Sequence, residues 1–299
     1  MGRRVFITGL GLIAPHGEDP ASIFDRIYRG DSAVQLVRSG TADFGSDLPL
    51  ATVDFTAKDR IPKTQQLFMA RASQMAVVAA EGALQSSGLF GVGQEGAEDG
   101  EIGVYMGCGL GGAEILQEGY RTYFVRQSRR GRPSTVPMIM ASGPASHISM
   151  RFGLRGPTHT YSIACASSTV AIGEAFRAIR DGYLDTALSG GAEAMLNDGS
   201  IAAWERLGVL ANSHIDGPEA SSRPFDLERT GFVLGEGAAL LVLEAESALQ
   251  ERAVDPIAEI IGYGVSSDAF SLTEPHAAGQ EAAMRSAITD ADIEREEVQ

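Results

Sequence analysis

The sequence has few cysteines, fewer basic than acidic residues and no long apolar run, and each of these features excludes a class of protein. Two cysteines, Cys108 and Cys165, among 299 residues provide neither a disulfide framework nor a cluster of metal ligands, so we expect no metal site and a reducing compartment, the cytoplasm. Acidic residues outnumber basic ones by 39 to 24, and the formal net charge of −15 argues against nucleic acid as a partner, because phosphate binding requires a basic surface. No run approaches the ~18 apolar residues that span a bilayer, so we expect no membrane association.

Hydrophobic periodicity predicts strands alternating with helices, which is typical of an α/β layered fold. Strands are predicted at 3–8, 102–106, 158–163, 184–190 and 257–268, and helices at 20–27, 64–87, 113–128, 137–151, 167–179 and 279–293. Residues 31–56 are predicted to be irregular, 91–101 to form a polar surface loop, and GFVLGEG (231–237) with AALLVLEA (238–245) to form a hairpin-like pair.

Cys165 lies between an apolar β-leaning run, 158–163, and a helical pattern in which Val170, Ile172, Phe176 and Ile179 recur about one turn apart. A thiol at such a strand–turn–helix junction lies beside unpaired N–H groups and the positive end of the helix dipole, so its thiolate is favoured. The same N–H groups can hold an oxyanion. The pattern therefore indicates a covalent nucleophile; the alternative is a buried cysteine acting as a small inert hydrophobe.

Two glycine-rich stretches match the dinucleotide-binding fingerprint, 9–14 as GxGxxA and 107–112 as GxGxxG. Pro15 interrupts the first where a phosphate-binding helix would begin, and neither is followed by a strand ending in an acidic residue about twenty positions on. We therefore expect no nicotinamide cofactor.

Glu236, between two glycines, is interpreted as a buried carboxylate that ties loops together rather than as a general base. Trp204 is interpreted as part of a core or pocket rim.

Several linked motifs, in order, identify a family. GLRGPTHTYSIACASST (153–169), DTALSGGAEAM (185–195), SSRPFDLERTGFVLGEGAALLVLE (221–244) and IIGYGVSSDA (260–269) together resemble the β-ketoacyl-acyl carrier protein synthases, the elongating ketosynthases of fatty-acid and type II polyketide assembly. The resemblance extends over essentially the whole chain. It implies a thiolase-like layered αβαβα fold, with residues 1–250 as the N-terminal half carrying the cysteine and 251–299 as the start of a C-terminal half that is truncated in this chain.

The resemblance also implies roles for particular residues. Ketosynthases of this type take an acyl group from carrier protein onto a cysteine, decarboxylate malonyl-acyl carrier protein and condense the resulting carbanion with the bound acyl group. Cys165 corresponds to the acyl acceptor, with its backbone N–H as half of the oxyanion hole. Leu110 and Ala164 match positions that line the acyl pocket, and Thr135 and Met138 match positions that reach the partner's pocket across a dimer.

The expected partners follow from the same resemblance. Lys63, Arg129, Arg130 and Arg132 lie where the family docks acidic carrier protein, although an ordinary solvated loop is the alternative explanation for the arginines. No cofactor of the protein's own is implied, because the substrates arrive on the phosphopantetheine of acyl carrier protein. The family works as a dimer, here a homodimer or a heterodimer with a ketosynthase-like subunit, which pairs the strand 159–163 with its twofold mate.

One departure from the family pattern leaves three functions open. The two catalytic histidines, the lysine and the Gly-Phe-Gly gate of the family correspond to positions beyond Gln299, and His147 is interpreted as structural. The first interpretation is a β-ketoacyl-acyl carrier protein synthase whose histidines come from a continuation of the polypeptide or a separate chain. The alternatives are a non-condensing subunit with a structural role and an acyltransferase limited to forming the acyl-cysteine.

Overall fold

The computed structural model describes residues 2–39, 46–90 and 101–299. The strands are β1 (Val5–Ile13), β2 (Gln35–Ser39), β3 (Ser46–Ala51), β4 (Gly103–Gly107), β5 (Thr158–Tyr161), β6 (Thr186–Glu193), β7 (Leu234–Gly235), β8 (Gly237–Ala245) and β9 (Ala258–Ile260). The α-helices are α1 (Pro20–Tyr28), α2 (Lys63–Gln66), α3 (Arg71–Ser86), α4 (Ala113–Tyr120), α5 (Thr135–Ile139), α6 (Gly143–Phe152), α7 (Ser167–Arg180), α8 (Asp198–Leu207), α9 (Glu246–Arg252) and α10 (Ala277–Ala291). The predicted loop at 91–101 lies outside the described residues except for its last residue.

Six strands form the main sheet in the order β5-β4-β6-β8-β1-β9. β4 runs parallel to both β5 and β6, with Gly107 opposite Tyr161 on one side and Gly191 on the other, while β6, β8, β1 and β9 are antiparallel neighbours. Because β4, β5 and β6 point the same way, their carboxyl ends meet at one edge of the sheet. The segments that follow these three strands are therefore brought together.

Helices cover both faces of this sheet, as the sequence predicted for an α/β layered fold. On one face α3 and α6 pack in an apolar cluster that includes Met75, Met106 and Ile148, each fully buried. On the other face α7 packs through Ala171 and Phe176. The apolar character of α3 nearly all round its circumference explains why it lies in the interior. The division of the chain at residue 250 stays a prediction.

Two predictions about the strands are wrong. The segment 31–56 is not irregular, because β2 and β3 pair antiparallel from Gln35 opposite Leu50 to Ser39 opposite Ser46. The hairpin-like pair at 231–245 does not form: β7 lies parallel to β3, whereas β8 lies between β1 and β6. The Glu236 side chain accepts the Val53 N–H at 3.1 Å, and this contact links the end of β7 to the segment that follows β3.

Three further boundaries also differ from prediction. The helix predicted at 64–87 is interrupted between α2 and α3, where Ala70 is extended with ψ 162°. The helix predicted at 137–151 is divided between α5 and α6 at Met140, which is also extended. The strand predicted at 257–268 contains only the three residues of β9 that pair with β1. In the described part of the chain, no helix combines the length and apolar character needed to cross a membrane.

Candidate active site

Cys165 lies in a short connection between the edge strand β5 and helix α7. The connection ends in a 3₁₀ turn, Ala164–Ala166, and α7 begins at Ser167. The Ser167 hydroxyl fixes this turn, because it accepts the Ile163 N–H at 2.8 Å and donates to the Ala164 carbonyl at 2.7 Å. Ala164 has φ +46°, a conformation that residues with a side chain seldom adopt. The strand–turn–helix geometry predicted for the thiol is confirmed.

The thiol of Cys165 is exposed, whereas that of Cys108 is buried. Burial raises the pKa of Cys108 to about 12, and the negative charge of Glu193 adds to the effect. The description of an inert buried thiol therefore fits Cys108 and not Cys165. That Cys165 acts as a nucleophile stays a prediction.

A cavity of about 680 Å³ lies beside Cys165. Leu110 and Ala164, the two residues predicted to line an acyl pocket in the same chain, both contribute to its wall, and about half of the Leu110 surface is accessible to solvent. Trp204 also lines the cavity, which confirms its interpretation as part of a pocket rim. A wall that is mostly apolar with a few polar groups suits a ligand with an aliphatic chain.

Thr135 and Met138 lie elsewhere, on α5, and do not line this cavity. Met138 is 2% exposed within its own chain, and its sulfur lies 3.3 Å from the Ser134 hydroxyl. The Thr135 hydroxyl donates to the Arg132 carbonyl at 2.7 Å. Their contribution to a partner's pocket stays a prediction.

The four predicted docking cations lie on the outside of the chain, and we call them the basic surface: Lys63, Arg129, Arg130 and Arg132. All four are exposed, and none forms an ion pair with a carboxylate in the described ranges. The arginine loop lies next to α2, since the Ser134 hydroxyl donates to the Leu67 carbonyl at 3.4 Å. Four cations without a carboxylate partner among the described residues, on a chain of net charge −15, form a local surface suited to an acidic partner.

Glu236 ties loops together, as the sequence indicated. Its carboxylate receives two hydrogen bonds from Arg71, from Nε at 2.8 Å and from Nη2 at 2.7 Å, and its side chain is 5% exposed. These hydrogen bonds raise the pKa of Arg71. Because both carboxylate oxygens are engaged by a cation, Glu236 is not free to act as a base.

Gly107 and Gly112, in the stretch that matches GxGxxG, allow neighbouring backbone segments to pack closely. A Cβ built on Gly107 would lie under 3.0 Å from the backbone of Ser167 and Ser168, and one on Gly112 under 3.0 Å from the Met138 carbonyl. The backbone of α7 and α5 thus packs closely against these two glycines. The expectation that the protein binds no nicotinamide cofactor stays a prediction.

Glu193, at the carboxyl end of β6, was missed by the sequence reasoning. It lines the cavity, and its Oε2 accepts the N–H groups of Gly109 at 2.9 Å and Leu110 at 3.0 Å. The signal that could have found it is positional: an acidic residue directly after a buried strand that is parallel to its neighbour points into the edge where such strands end.

The histidines do not contribute to the cavity wall. His147 Nε2 lies 3.0 Å from the Phe68 carbonyl oxygen, and burial lowers the pKa of this histidine. This contact agrees with a structural role for His147, which stays a prediction. Within the described residues, no group of three or more histidine, cysteine, aspartate or glutamate side chains is arranged to hold a metal ion.

Comparisons with known proteins agree on one family. The profile of the β-ketoacyl synthase N-terminal domain matches residues 2–248. The "3-oxoacyl-[acyl-carrier-protein] synthase 2" of Staphylococcus aureus (strain COL) is 34% identical, in an alignment that covers 99% of this chain and 71% of the relative.

Solved structures give the same result. A β-ketoacyl synthase from Burkholderia phymatum STM815 superimposes with a TM-score of 0.87 at 32% identity, covering 97% of this chain and 71% of that one. A type II PKS ketosynthase, solved in complex with its acyl-carrier protein and bound to the hexaketide, superimposes with a TM-score of 0.84 at 28% identity, covering 99% and 72%.

Proposed function

The chain belongs to the β-ketoacyl synthase family, and we propose that Cys165 is the residue on which its acyltransferase chemistry takes place. Its fold is the thiolase-like layered fold of the ketosynthases, of which it spans about 71%. The reaction is acyl transfer from carrier protein to a cysteine, followed by decarboxylative Claisen condensation with malonyl-acyl carrier protein, in fatty-acid or polyketide synthesis.

The observation that carries the proposal is the position of Cys165, exposed at the turn before α7 and beside an apolar cavity. The Cys165 thiolate attacks the carbonyl carbon of the acyl thioester on phosphopantetheine, and the resulting oxyanion is stabilised by backbone N–H groups at the helix start. Collapse of this intermediate releases the carrier thiolate and leaves the acyl chain on Sγ. Leu110 and Ala164 then contact the aliphatic chain.

The condensation step needs further donors. Loss of carbon dioxide from the malonyl thioester places negative charge on the thioester oxygen, and hydrogen-bond donors must stabilise that charge. The cavity-lining residues of the described chain include neither histidine nor lysine. We therefore assign this step to histidines outside these 299 residues, in a continuation of the polypeptide or in a partner chain.

The proposed partners follow from two surfaces. The basic surface attracts acidic acyl carrier protein, in line with the solved type II complex of a relative with its acyl-carrier protein. The edge strand β5 pairs with the same strand of a second ketosynthase-like subunit, identical or related, so that the sheet continues across a twofold axis. Two free thiols suit a reducing compartment, and we place the protein in the cytoplasm.

Intact-protein mass spectrometry tests the proposal. The protein is incubated with acyl-carrier protein and then with malonyl-carrier protein, with Cys165→Ala as the negative variant and Cys108→Ala as the matched control. An adduct that forms in the parent and in Cys108→Ala, but not in Cys165→Ala, supports acyl transfer.

The malonyl chase separates the remaining possibilities. Loss of the adduct with release of an extended product supports a complete ketosynthase. An adduct that persists indicates an acyltransferase that stops at the acyl-cysteine. No adduct in the parent contradicts the enzyme function and favours a non-condensing subunit.

A further inference from the structure

The loop that carries Leu110 into the cavity is held by one carboxylate. Glu193 Oε2 accepts hydrogen bonds from two successive backbone N–H groups, those of Gly109 and Leu110, at 2.9 and 3.0 Å. A Cβ built on Gly109 would lie 2.7 Å from the same oxygen, so the close approach depends on glycine at this position. The carboxylate and the loop are therefore fitted to each other.

The same loop also forms hydrogen bonds with residues at the end of β5. The Ser162 hydroxyl donates to the Gly109 carbonyl at 3.1 Å, and the Cys108 N–H donates to the Tyr161 carbonyl at 3.1 Å. The loop after β4 is thus fixed from β6 through Glu193 and from the end of β5 through Ser162, three residues before Cys165. These hydrogen bonds hold the backbone of Gly109 and Leu110 near Cys165.

We propose that Glu193 is a positioning residue that sets the acyl-chain selectivity of the cavity by holding Leu110 at its wall. The inference rests on the proposed acyl transfer to Cys165. Leu110 presents its side chain to the cavity, and its backbone N–H is one of the two groups that Glu193 binds. A displaced Leu110 changes how much of an aliphatic chain the cavity accommodates, while the thiol itself stays in place.

The contact requires a hydrogen-bond acceptor at the position of Oε2, and the negative charge of the carboxylate strengthens the two hydrogen bonds. A carboxylate oxygen binds two converging N–H groups more strongly than a neutral acceptor does. An amide oxygen in Glu193→Gln retains both bonds, although its NH₂ then faces the Ala194 N–H, which Oε1 accepts at 3.2 Å in the parent. Glu193→Ala leaves two donors in the cavity wall without an acceptor, and the loop rearranges to satisfy them.

The experiment compares Glu193→Ala, Glu193→Gln and the control Ser149→Ala with the parent protein. Ser149 also forms a side chain-to-backbone hydrogen bond, in which its hydroxyl donates to the Leu154 carbonyl at 2.7 Å, but it does not line the cavity. One readout is the ratio of the rates at which butyryl- and dodecanoyl-carrier protein acylate Cys165. The other is hydrogen–deuterium exchange of the peptide that contains residues 107–112.

We expect Glu193→Ala to change the rate ratio by about fivefold or more and to raise exchange at Gly109 and Leu110 by about tenfold, since each of these N–H groups loses its hydrogen-bond acceptor. Glu193→Gln is expected within about twofold of the parent in both readouts, and Ser149→Ala is expected to match the parent.

Three results would overturn the inference: an unchanged rate ratio in Glu193→Ala, unchanged exchange in that variant, or a Gln variant as impaired as the Ala variant. Failure of the parent to acylate at all contradicts the proposed function instead. In that case the exchange of the Gly109 and Leu110 amides still decides whether Glu193 positions the loop.

Discussion

Gly173 on α7 is in direct contact with the ring of Tyr263, which follows β9 and belongs to the same apolar cluster as α7. A Cβ built on Gly173 would lie under 3.0 Å from three ring carbons of Tyr263, and the Arg177 guanidinium lies 4.7 Å from the centre of the same ring. Helix α7, which begins just after Cys165, therefore packs against a tyrosine from the C-terminal part of the chain. Its position depends on this aromatic contact.

Gly173→Ala is expected to destabilise the protein. The added methyl group has no space unless Tyr263 moves, and such overpacking costs about 1–3 kcal/mol, which exceeds the gain in helix propensity. Gly119→Ala on α4 is the matched control, because its Cβ would lie 3.7 Å from the nearest atom, an ordinary contact. Urea unfolding of both variants measures the difference, and equal midpoints would contradict the close fit at Gly173.

Arg71→Met is expected to lower the free energy of unfolding by about 2–3 kcal/mol, because it leaves the Glu236 carboxylate buried without its cation. The double variant Arg71→Met/Glu236→Gln should recover part of this loss, since the uncompensated charge is gone. Arg285→Met, which removes an exposed pair with Glu281, is the control with an expected cost of about 0–0.5 kcal/mol. Chemical denaturation is the measurement, and a cost for Arg71→Met no larger than the control would refute the argument.

Stability below neutral pH should depend on His147. Burial lowers the pKa of this histidine in the folded state, so the unfolded chain binds a proton first as the pH falls. Its contribution is fully present above the unfolded pKa of about 6.5 and is lost as the pH falls through the folded value. His147→Gln should therefore flatten the dependence of the denaturation midpoint on pH between about 7 and 5. Parallel curves for parent and variant would show that His147 titrates alike in both states.

Thr158→Lys should weaken dimerisation. Thr158 is exposed on β5, the edge strand that we propose to pair with its mate, and a lysine on an edge strand opposes pairing. Tyr28→Lys on α1 is the control, because α1 packs near β1, four strands away from β5. Sedimentation velocity should show about tenfold weaker self-association for Thr158→Lys only, an effect of about 1.4 kcal/mol. Equal association of both variants would place the dimer interface elsewhere.

The sequence predicted those parts of the fold that are determined locally. The β5–turn–α7 unit has an apolar strand, a small-residue turn and a helical period in direct succession, so its elements were placed within a few residues. The break before α3 could not be predicted in this way. There the Arg71 N–H donates to the Glu114 carboxylate at 2.9 Å, a partner 43 positions away.

Helix α8 was missed although local signals for it exist. Asn197 accepts the Ser200 N–H at its start, and Gly208 adopts a left-handed conformation at its end. The helix is not predicted from the sequence because a polar stretch, 211–230, follows soon after it and is typical of a loop.

The candidate site was predicted in part. Cys165, Leu110 and Ala164 come together as the resemblance implied, because two of them are adjacent and the third follows a parallel neighbour strand. The position of Glu193 at the edge of the sheet carries a sequence signal, but its contact with Gly109 and Leu110 could not be predicted without the register of β4 against β6, in which Gly107 lies opposite Gly191. The polar contacts that hold the loop therefore emerge only from the three-dimensional structure.

The position of Cys165 shortly after β5, an edge strand that pairs with β4 on one side only, has an evolutionary consequence. Under the pairing that we propose for β5, the edge also accepts a closely similar sequence, so duplication of the gene provides two subunits that can assemble with each other. One copy can then lose its thiol without loss of the assembly, provided that the other keeps it. A single duplication could thus produce two specialised subunits, one that keeps the thiol and one that only shapes the surroundings of that thiol.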